Sequence, residues 1–443
     1  MWAHLHAVLP PRTPTQALSG PYKETLLKSA QLFQRSILAT AAVLAFAAHA
    51  GEVEVLHYWT SGGEAKSAAA LKATLQAKGH AWKDFAVAGG GGDNAMTVLK
   101  SRVVSGNAPA AAQIKGPALQ EWAAEGVLAN IDDVAKAEKW DSLLPPVVAN
   151  VMKYKGNYIA APVNVHRVNW LWASNAAFKK AGAKVPTNWD EFFVAAEALK
   201  KAGIIPVAHG GQNWQDFTTF ESVALGVGGA DFYKKALVQL DQATLTSATM
   251  TKVLDTFKKV KTYTDKNAPG RDWNLATAMV IKGEAGMQLM GDWAKGEFVA
   301  AGKKPGADFT CAAAPGTAKS FTFNVDSFAM FKLKNEANGQ AQKDLAAAIM
   351  STDFQEVFNL NKGSIPVRLN MNLVKFDDCA KLSANDFVAT AKNGGLVPSV
   401  AHGMAIGSAT SGAIQDAVSQ FWNDDKMSSK DAQAKIASAA KVK

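Results

Sequence analysis

The segment His57 to Glu64, HYWTSGGE, sets an aromatic pair, two hydroxyls, a glycine turn and a carboxylate within one short stretch. Tyr58 and Trp59 offer flat apolar faces, while Thr60, Ser61 and Glu64 offer hydrogen-bond partners. A pyranose asks for that mixture, because its C–H face packs on an aromatic ring while its hydroxyls need donors and acceptors. The same residues would equally serve a strand end with core aromatics and a helix cap, so the rest of the chain must decide. Other polar and aromatic groups sit at strand ends and turns. Gln113, within the strand-like AAAQI, and Lys115, just after it, share a face by period two. GDWAKG puts Trp293 directly after AGMQLM. Asn324 and Asp326 share one face of FTFNVDSF, Lys362 ends the helical STDFQEVFNLNK before Gly363, and His402 lies in the glycine-flanked SVAHGMA. Taken singly, each reads as a solvated lysine, a strand-end acid or a loop histidine. Together they supply the carboxylates, ammonium groups, amide, imidazole and ring faces that a buried polyol needs to have its hydroxyls paired.

Enzyme motifs do not match. GGGGD at Gly89–Asp93 lacks the lysine and hydroxyl of a phosphate-binding loop and misses the GxGxxG spacing at Asn94. HExxH, GxSxG and CxxC do not occur, and the histidines are scattered. The expectation is a binding protein without cofactor or metal. The enzyme alternative is a glycoside-active protein with Glu64 and Asp326 as acid and base.

The elements that must position these residues alternate. Strand EVEVLHYW leads to a helix near 64–78, a strand near Asp84–Ala88, the glycine run 89–92, a helix near 94–104 and the strand AAAQI. That βαβ series argues for an α/β lobe with a largely parallel sheet. A second series runs through VNWLW, a helix near 175–181, the helix TNWDEFFVAAEALKKAG with Thr187 or Asn188 as N-cap and Gly203 as its stop, and the strand IIPVAH. A helix near 250–264, AGMQLM and the strand FTFNVDSFAMF follow. The two series predict two lobes.

Residues 34–50, QRSILATAAVLAFAAHA, have the charged start, apolar run and Ala48-His49-Ala50 site of an export signal, with cleavage before Gly51. Residues 1–23 precede that signal, and no methionine lies between Met1 and Met96, so the natural start is read near Leu26 or Leu27. The expected location is the periplasm, and no cysteine follows the signal to carry a lipid anchor. Cys311 and Cys379 are the two cysteines; in an oxidising compartment they most simply form one disulfide. The net charge is +9 over 443 residues. Lysines alternate with acids, as in KDLAAAIMSTDFQEVF, which speaks against nucleic acid as a partner. Twelve tryptophans exceed what a core requires and point to some in a binding cleft.

HYWTSGGE, GGGGDNAM, AQIKGPALQEWA, PTNWDEFFVAAEALKKAGIIPVAHGGQ, GEAGMQLMGDWAKGEF, FNVDSFAMF and NKGSIPVR resemble, in this order, segments of the periplasmic sugar-binding proteins of ABC importers, the family 1 extracellular solute-binding proteins and their glucose-binding branch above all. The resemblance covers the chain after residue 50. It implies an α/β, two-lobe fold of the maltose-binding-protein-like type, with discontinuous lobes and a hinge. One lobe would hold residues 51–163 and 324–366 and the other residues 164–323 and 367–443, after a leader of residues 1–50. Hinges would lie near Ala161–Asn164, Phe323–Asp326 and Ile365–Arg368. Carried over by position, the ligand residues are Tyr58, Trp59, Glu64, Lys115, Trp293, Asn324, Asp326, Lys362 and His402, with Trp273 and Gln113 of second rank. Relatives often have two tryptophans in the first motif, and Tyr58 departs from that. Trp59 and Trp293 would stack on the sugar, Glu64 and Asp326 would accept from hydroxyls, and Lys115, Lys362, Asn324 and His402 would donate or bridge. The ligand would be a monosaccharide, D-glucose first, and the partners the membrane permease subunits, met by a monomer.

Overall fold

The computed structural model describes residues 51–442; the leader assigned to residues 1–50 lies outside them. The first sheet is five-stranded in the order β2-β1-β3-β11-β4, built from β1 (Glu52–His57), β2 (Ala81–Ala86), β3 (Ala111–Gln113), β4 (Ala160–Pro162) and β11 (Ser327–Met330). Strands β1, β2 and β3 run parallel, joined by helices α1 (Gly62–Ala77) and α2 (Asp93–Val104), as their βαβ pattern requires. The other pairings, β11 with β3 and with β4, are antiparallel. A second sheet of four strands, β9-β6-β8-β7, contains β6 (Trp170–Ser174), β7 (Ile205–Val207), β8 (Ala285–Leu289) and β9 (Phe309–Ala313). Only its β7–β8 pair is parallel; the largely parallel sheet expected of the first series holds for half of the first sheet. The reason is topological: strands that come back from the other half of the molecule pair against the local direction.

The crossings sit together. β5 (His166–Arg167) and β12 (Leu396–Pro398) flank β10 (Phe321–Asn324) in a three-stranded sheet between the lobes. FTFNVDSFAMF, expected as one strand, is therefore two. It breaks at Val325-Asp326, where the chain leaves this small sheet for the first one. Val163 N–H donates to the Asp326 carbonyl at 2.8 Å, and Val165 and Ile365 exchange backbone bonds. A few residues per crossing, laddered to one another, join the two halves.

The first sheet's core holds Val53, Leu71, Phe328, Phe354 and Phe358, and the other half packs around Phe217, Phe220, Phe257 and Trp422. Helix α3 (Trp189–Lys201) starts at Asn188, the second of the two foreseen caps, whose side chain accepts from Glu191 N at 3.0 Å. The foreseen helix near 250–264 is α5 (Ala248–Lys261). The long helix α4 (Asn213–Tyr233) has no amphipathic stripe, because Trp214 to Leu225 are buried on every side. Later come α6 (Trp293–Ala300), α7 (Gly339–Met350), α8 (Thr352–Lys362), α9 (Asp378–Asn393) and α10 (Ser408–Asn423). Cys311 on β9 is bonded to Cys379 on α9 with Cα atoms 6.1 Å apart. Ion pairs Lys295–Asp377 and Arg167–Asp386 fasten the same helix. No helix of the described residues is long and apolar enough to cross a membrane.

Candidate functional site

The end of β1 delivers Tyr58 and Trp59, and the first turn of α1 delivers Glu64. The break between β10 and β11 leaves Asn324 and Asp326 on the rim of two sheets, and α8 ends at Gly363 with φ +90°, placing Lys362 at the helix end that faces α1. From the other half, α6 opens with Trp293, and the loop after β12 carries His402. All of these, with Lys115 and Trp273, line one cavity of about 370 Å³ between the halves. Gln113 does not; it lines an adjoining compartment of about 250 Å³.

Glu64 is paired with Lys362 at 2.5 Å. Asp326 is 3 % exposed. Its Oδ2 is bonded to His166 Nε2 at 2.9 Å and to Asn164 Nδ2 at 3.4 Å, leaving Oδ1 without a protein partner among the described residues. The far nitrogen of His166 is bonded to Asp292, which also takes the N–H of Arg167. Burial works against a charge on His166, but Asp292 and Asp326 outweigh it and raise its pKa. Burial likewise opposes the charge on Asp326, and His166, Lys362 and Lys115 overcome it and hold the carboxyl below its usual range. Lys115 is lowered by burial, partly offset by Asp326 and Asp93. Acids and bases thus alternate around the cavity and nearly cancel. A neutral, polar ligand suits such a site better than an ion.

The rings divide into two kinds. Trp59 is 2 % exposed, edge-on to Phe328 at 5.5 Å and against Phe358 at 5.0 Å, so most of its surface belongs to the core. The expectation that it outranks Tyr58 as a stacking face is revised: Tyr58 is less buried, with Lys115 Nζ 5.3 Å above its ring. Trp293 is held between imidazoles, 4.7 Å from His402 and 5.2 Å from His166, with Trp214 at 6.4 Å. Trp273 stays partly exposed on the lip.

His402 is well below its ordinary pKa through burial and the nearby Lys115 and His166 charges. Its Nε2 lies 3.1 Å from Thr218 Oγ1, whose hydroxyl donates to the Trp214 carbonyl at 2.8 Å. That hydroxyl has one proton, so Nε2 must be the donor and Nδ1 the acceptor. His402 thus offers a ligand an acceptor, where a donor or bridge was expected. Several buried polar atoms in the lining have no protein partner: Tyr58 OH, Ser61 Oγ and Asn324 Oδ1. Buried polar atoms are nearly always paired, so three unpaired ones on residues that line one cavity set this region apart from the two cores.

The glycine run has a steric role here. Gly91 and Gly92 have φ +61° and +117°, and a Cβ on them would stand 3.0 Å from Trp214 and Tyr58 respectively. Only glycine permits that left-handed turn between two rings. The two halves also touch where Glu121 accepts from Ser408 N at 2.9 Å and Oγ at 2.8 Å, capping α10.

Reading by motif missed His166, Asp292 and Trp214. His166 had a signal, since it lies two residues beyond an expected hinge. Trp214 had only its place in the glycine-rich GGQNWQ.

Two lobes joined by laddered crossings, closing on a cavity walled from both sides, define the hinged solute receptors. The bacterial extracellular solute-binding protein family matches residues 59–355, and the chain belongs to it. A "probable sugar-binding periplasmic protein" of Brucella suis biovar 1 (strain 1330) is 49% identical over 92% of this chain and 96% of its own length. Among solved structures, a chitin oligosaccharide binding protein superposes with a TM-score of 0.75 at 17% identity, covering 88% of this chain and 98% of that one. The bacterial solute receptor AcbH, described by its preference for β-D-galactopyranose, superposes with a TM-score of 0.73 at 19% identity over 88% and 98%. At these identities the likeness is one of fold, and the fold is the expected maltose-binding-protein-like one.

Proposed function

We propose that the protein is a periplasmic sugar receptor of an ABC importer that captures a monosaccharide, D-glucose before other hexoses, and hands it unchanged to the membrane permease. The charge-balanced, ring-lined cavity carries the reading: the pairs Glu64–Lys362 and Asp326–His166 share it with Lys115, Tyr58, Trp273 and Trp293. The cavity, at about 370 Å³, is near the small end of the roughly 300–1,000 Å³ range of small-molecule sites. The sugar-binding name of the Brucella relative points the same way. Binding from both lobes would favour the closed arrangement, and the permease would recognise that shape. The engaged state of Glu64 and Asp326, tied to Lys362 and His166, suits hydroxyl recognition better than acid–base turnover. A second reading is a disaccharide, favoured by the adjoining compartment and the unpaired Gln113 Nε2 that lines it.

Calorimetric titration against hexoses, pentoses and disaccharides, with mass analysis of the recovered ligand, tests this. Tightest binding of glucose, recovered intact, supports the proposal. A tighter disaccharide selects the second reading, and no binding of any sugar, or hydrolysis lost in Glu64→Gln, overturns both.

A further inference from the structure

Helix α4 sets Trp214, Thr218 and Glu221 on one face at i, i+4 and i+7, and each of them meets the turn Ser399–His402. The Trp214 ring stands 5.7 Å from the His402 imidazole, and Thr218 Oγ1 takes its Nε2 proton. One turn further along, Glu221 is fully buried, outside the cavity lining, and has no ion-pair partner among the described residues. Such a burial is costly unless the carboxylate is richly bonded. It is: Oε1 accepts from Ser399 Oγ at 2.6 Å, and Oε2 meets the N–H groups of Val400 and Ala401 at 3.0 and 3.3 Å and the Tyr233 hydroxyl at 2.9 Å. Ser399 Oγ in turn accepts from His402 N at 3.2 Å. Burial pushes the Glu221 carboxyl up to about 7 against the pull of these donors. The turn donates to the helix throughout: Ser399 Oγ and the Val400 and Ala401 N–H groups donate to Glu221, the His402 N–H donates to Ser399 Oγ, and the imidazole donates to Thr218.

We infer that Glu221 is a positioning residue for ligand binding: it fixes the Ser399–His402 turn so that His402 keeps its Nε2–H on Thr218, its ring on Trp293, and Nδ1 as the acceptor for a ligand hydroxyl. This rests on the sugar-receptor reading. Glu221 touches no ligand; it acts through His402.

A double-mutant cycle on the exported protein, titrated with glucose, reads the coupling. Glu221→Gln and Thr218→Val should each weaken affinity about tenfold, the effect of one unmatched buried hydrogen-bonding group, while Thr218→Ser should restore it. In a His402→Ala background, Glu221→Gln should add less than about twofold. Imidazole ¹⁵N spectra should show the Nε2–H tautomer in the unliganded wild type and a tautomer mixture in Glu221→Gln and Thr218→Val. If the tenfold loss from Glu221→Gln persists without His402, or the His402 tautomer is unchanged in both variants, the inference fails. Should Glu221→Gln not fold, Ser399→Ala, which removes the hydroxyl that joins Glu221 to the His402 N–H, takes its place in the cycle and is read by the same two criteria. If the wild type takes no sugar, the receptor reading fails by itself, and the tautomer spectra still decide the positioning.

Discussion

Replacing Trp59 by alanine separates a ring that serves the ligand from one that serves the core. Trp59 is 2 % exposed, with Phe328 edge-on at 5.5 Å and Phe358 at 5.0 Å, so truncation opens a hole in the first lobe. Large-to-small changes at packed aromatic sites cost about 3–5 kcal/mol. With an unfolding entropy near 2.1 cal/mol/K per residue, a chain of this size should lose roughly 4–6 °C in ligand-free Tm. Trp273, partly exposed on the lip, gives the contrast. Trp273→Ala should melt within ~1 °C of wild type without sugar, and an aromatic contact worth over 1 kcal/mol should cost about tenfold in affinity. Scanning calorimetry with and without saturating glucose, beside titration calorimetry, reads both quantities. A Trp59→Ala protein that melts like wild type, with only its sugar-induced shift gone, would refute the reasoning and give the ring back to the ligand.

Reducing the Cys311–Cys379 bond, which closes a separation of 68 residues, should lower stability by ~2–4 kcal/mol in denaturant titrations; two reactive thiols in unreduced, denatured protein would show no bond to break. Stability should also depend on pH through the buried pair. Asp326, depressed from 3.8, contributes stability that is complete above that value and lost on acidification, while His166, raised from 6.5, contributes below that value and loses it as pH climbs past its folded pKa. Asp326→Asn should therefore cost most between those two values and less in acid, and a pH-independent difference would sink the assignment. Truncating Lys362 to methionine leaves Glu64, its partner at 2.5 Å, without its cation, and should weaken sugar binding by at least tenfold; affinity equal to wild type in titration would show that the pair is dispensable.

The cavity-lining residues legible in the sequence were those at strand ends, where an alternating pattern stops on an aromatic or a carboxylate: Tyr58, Trp59, Asn324 and Asp326. What was not legible depended on partners far away in the chain. His166 lies beside an expected hinge, but its role depends on Asp292 and Asp326, which flank it from different halves and which its neighbours in sequence do not announce. Helix α4 was missed because residues buried on all sides show no stripe, and because Gly226, Gly228 and Gly229 interrupt it. The break at Val325-Asp326 was invisible because both halves of FTFNVDSFAMF have a strand's composition. Which face of Trp59 meets the core depended on Phe328 and Phe358, neither of which its neighbours announce.

The order of strands in the first sheet also governs time. Strand β11, residues 327–330, lies between β3 and β4, whose residues end at 113 and 162. Until the chain has been made past Met330, β3 and β4 have no neighbour between them, and the lobe built on β1 to β4 cannot close. Pairings this distant in sequence are slow to form, since the loop must be shut before any contact rewards it. An unfinished chain is thus kept loose by its own topology, which is the condition in which a polypeptide can still be threaded through a narrow membrane pore.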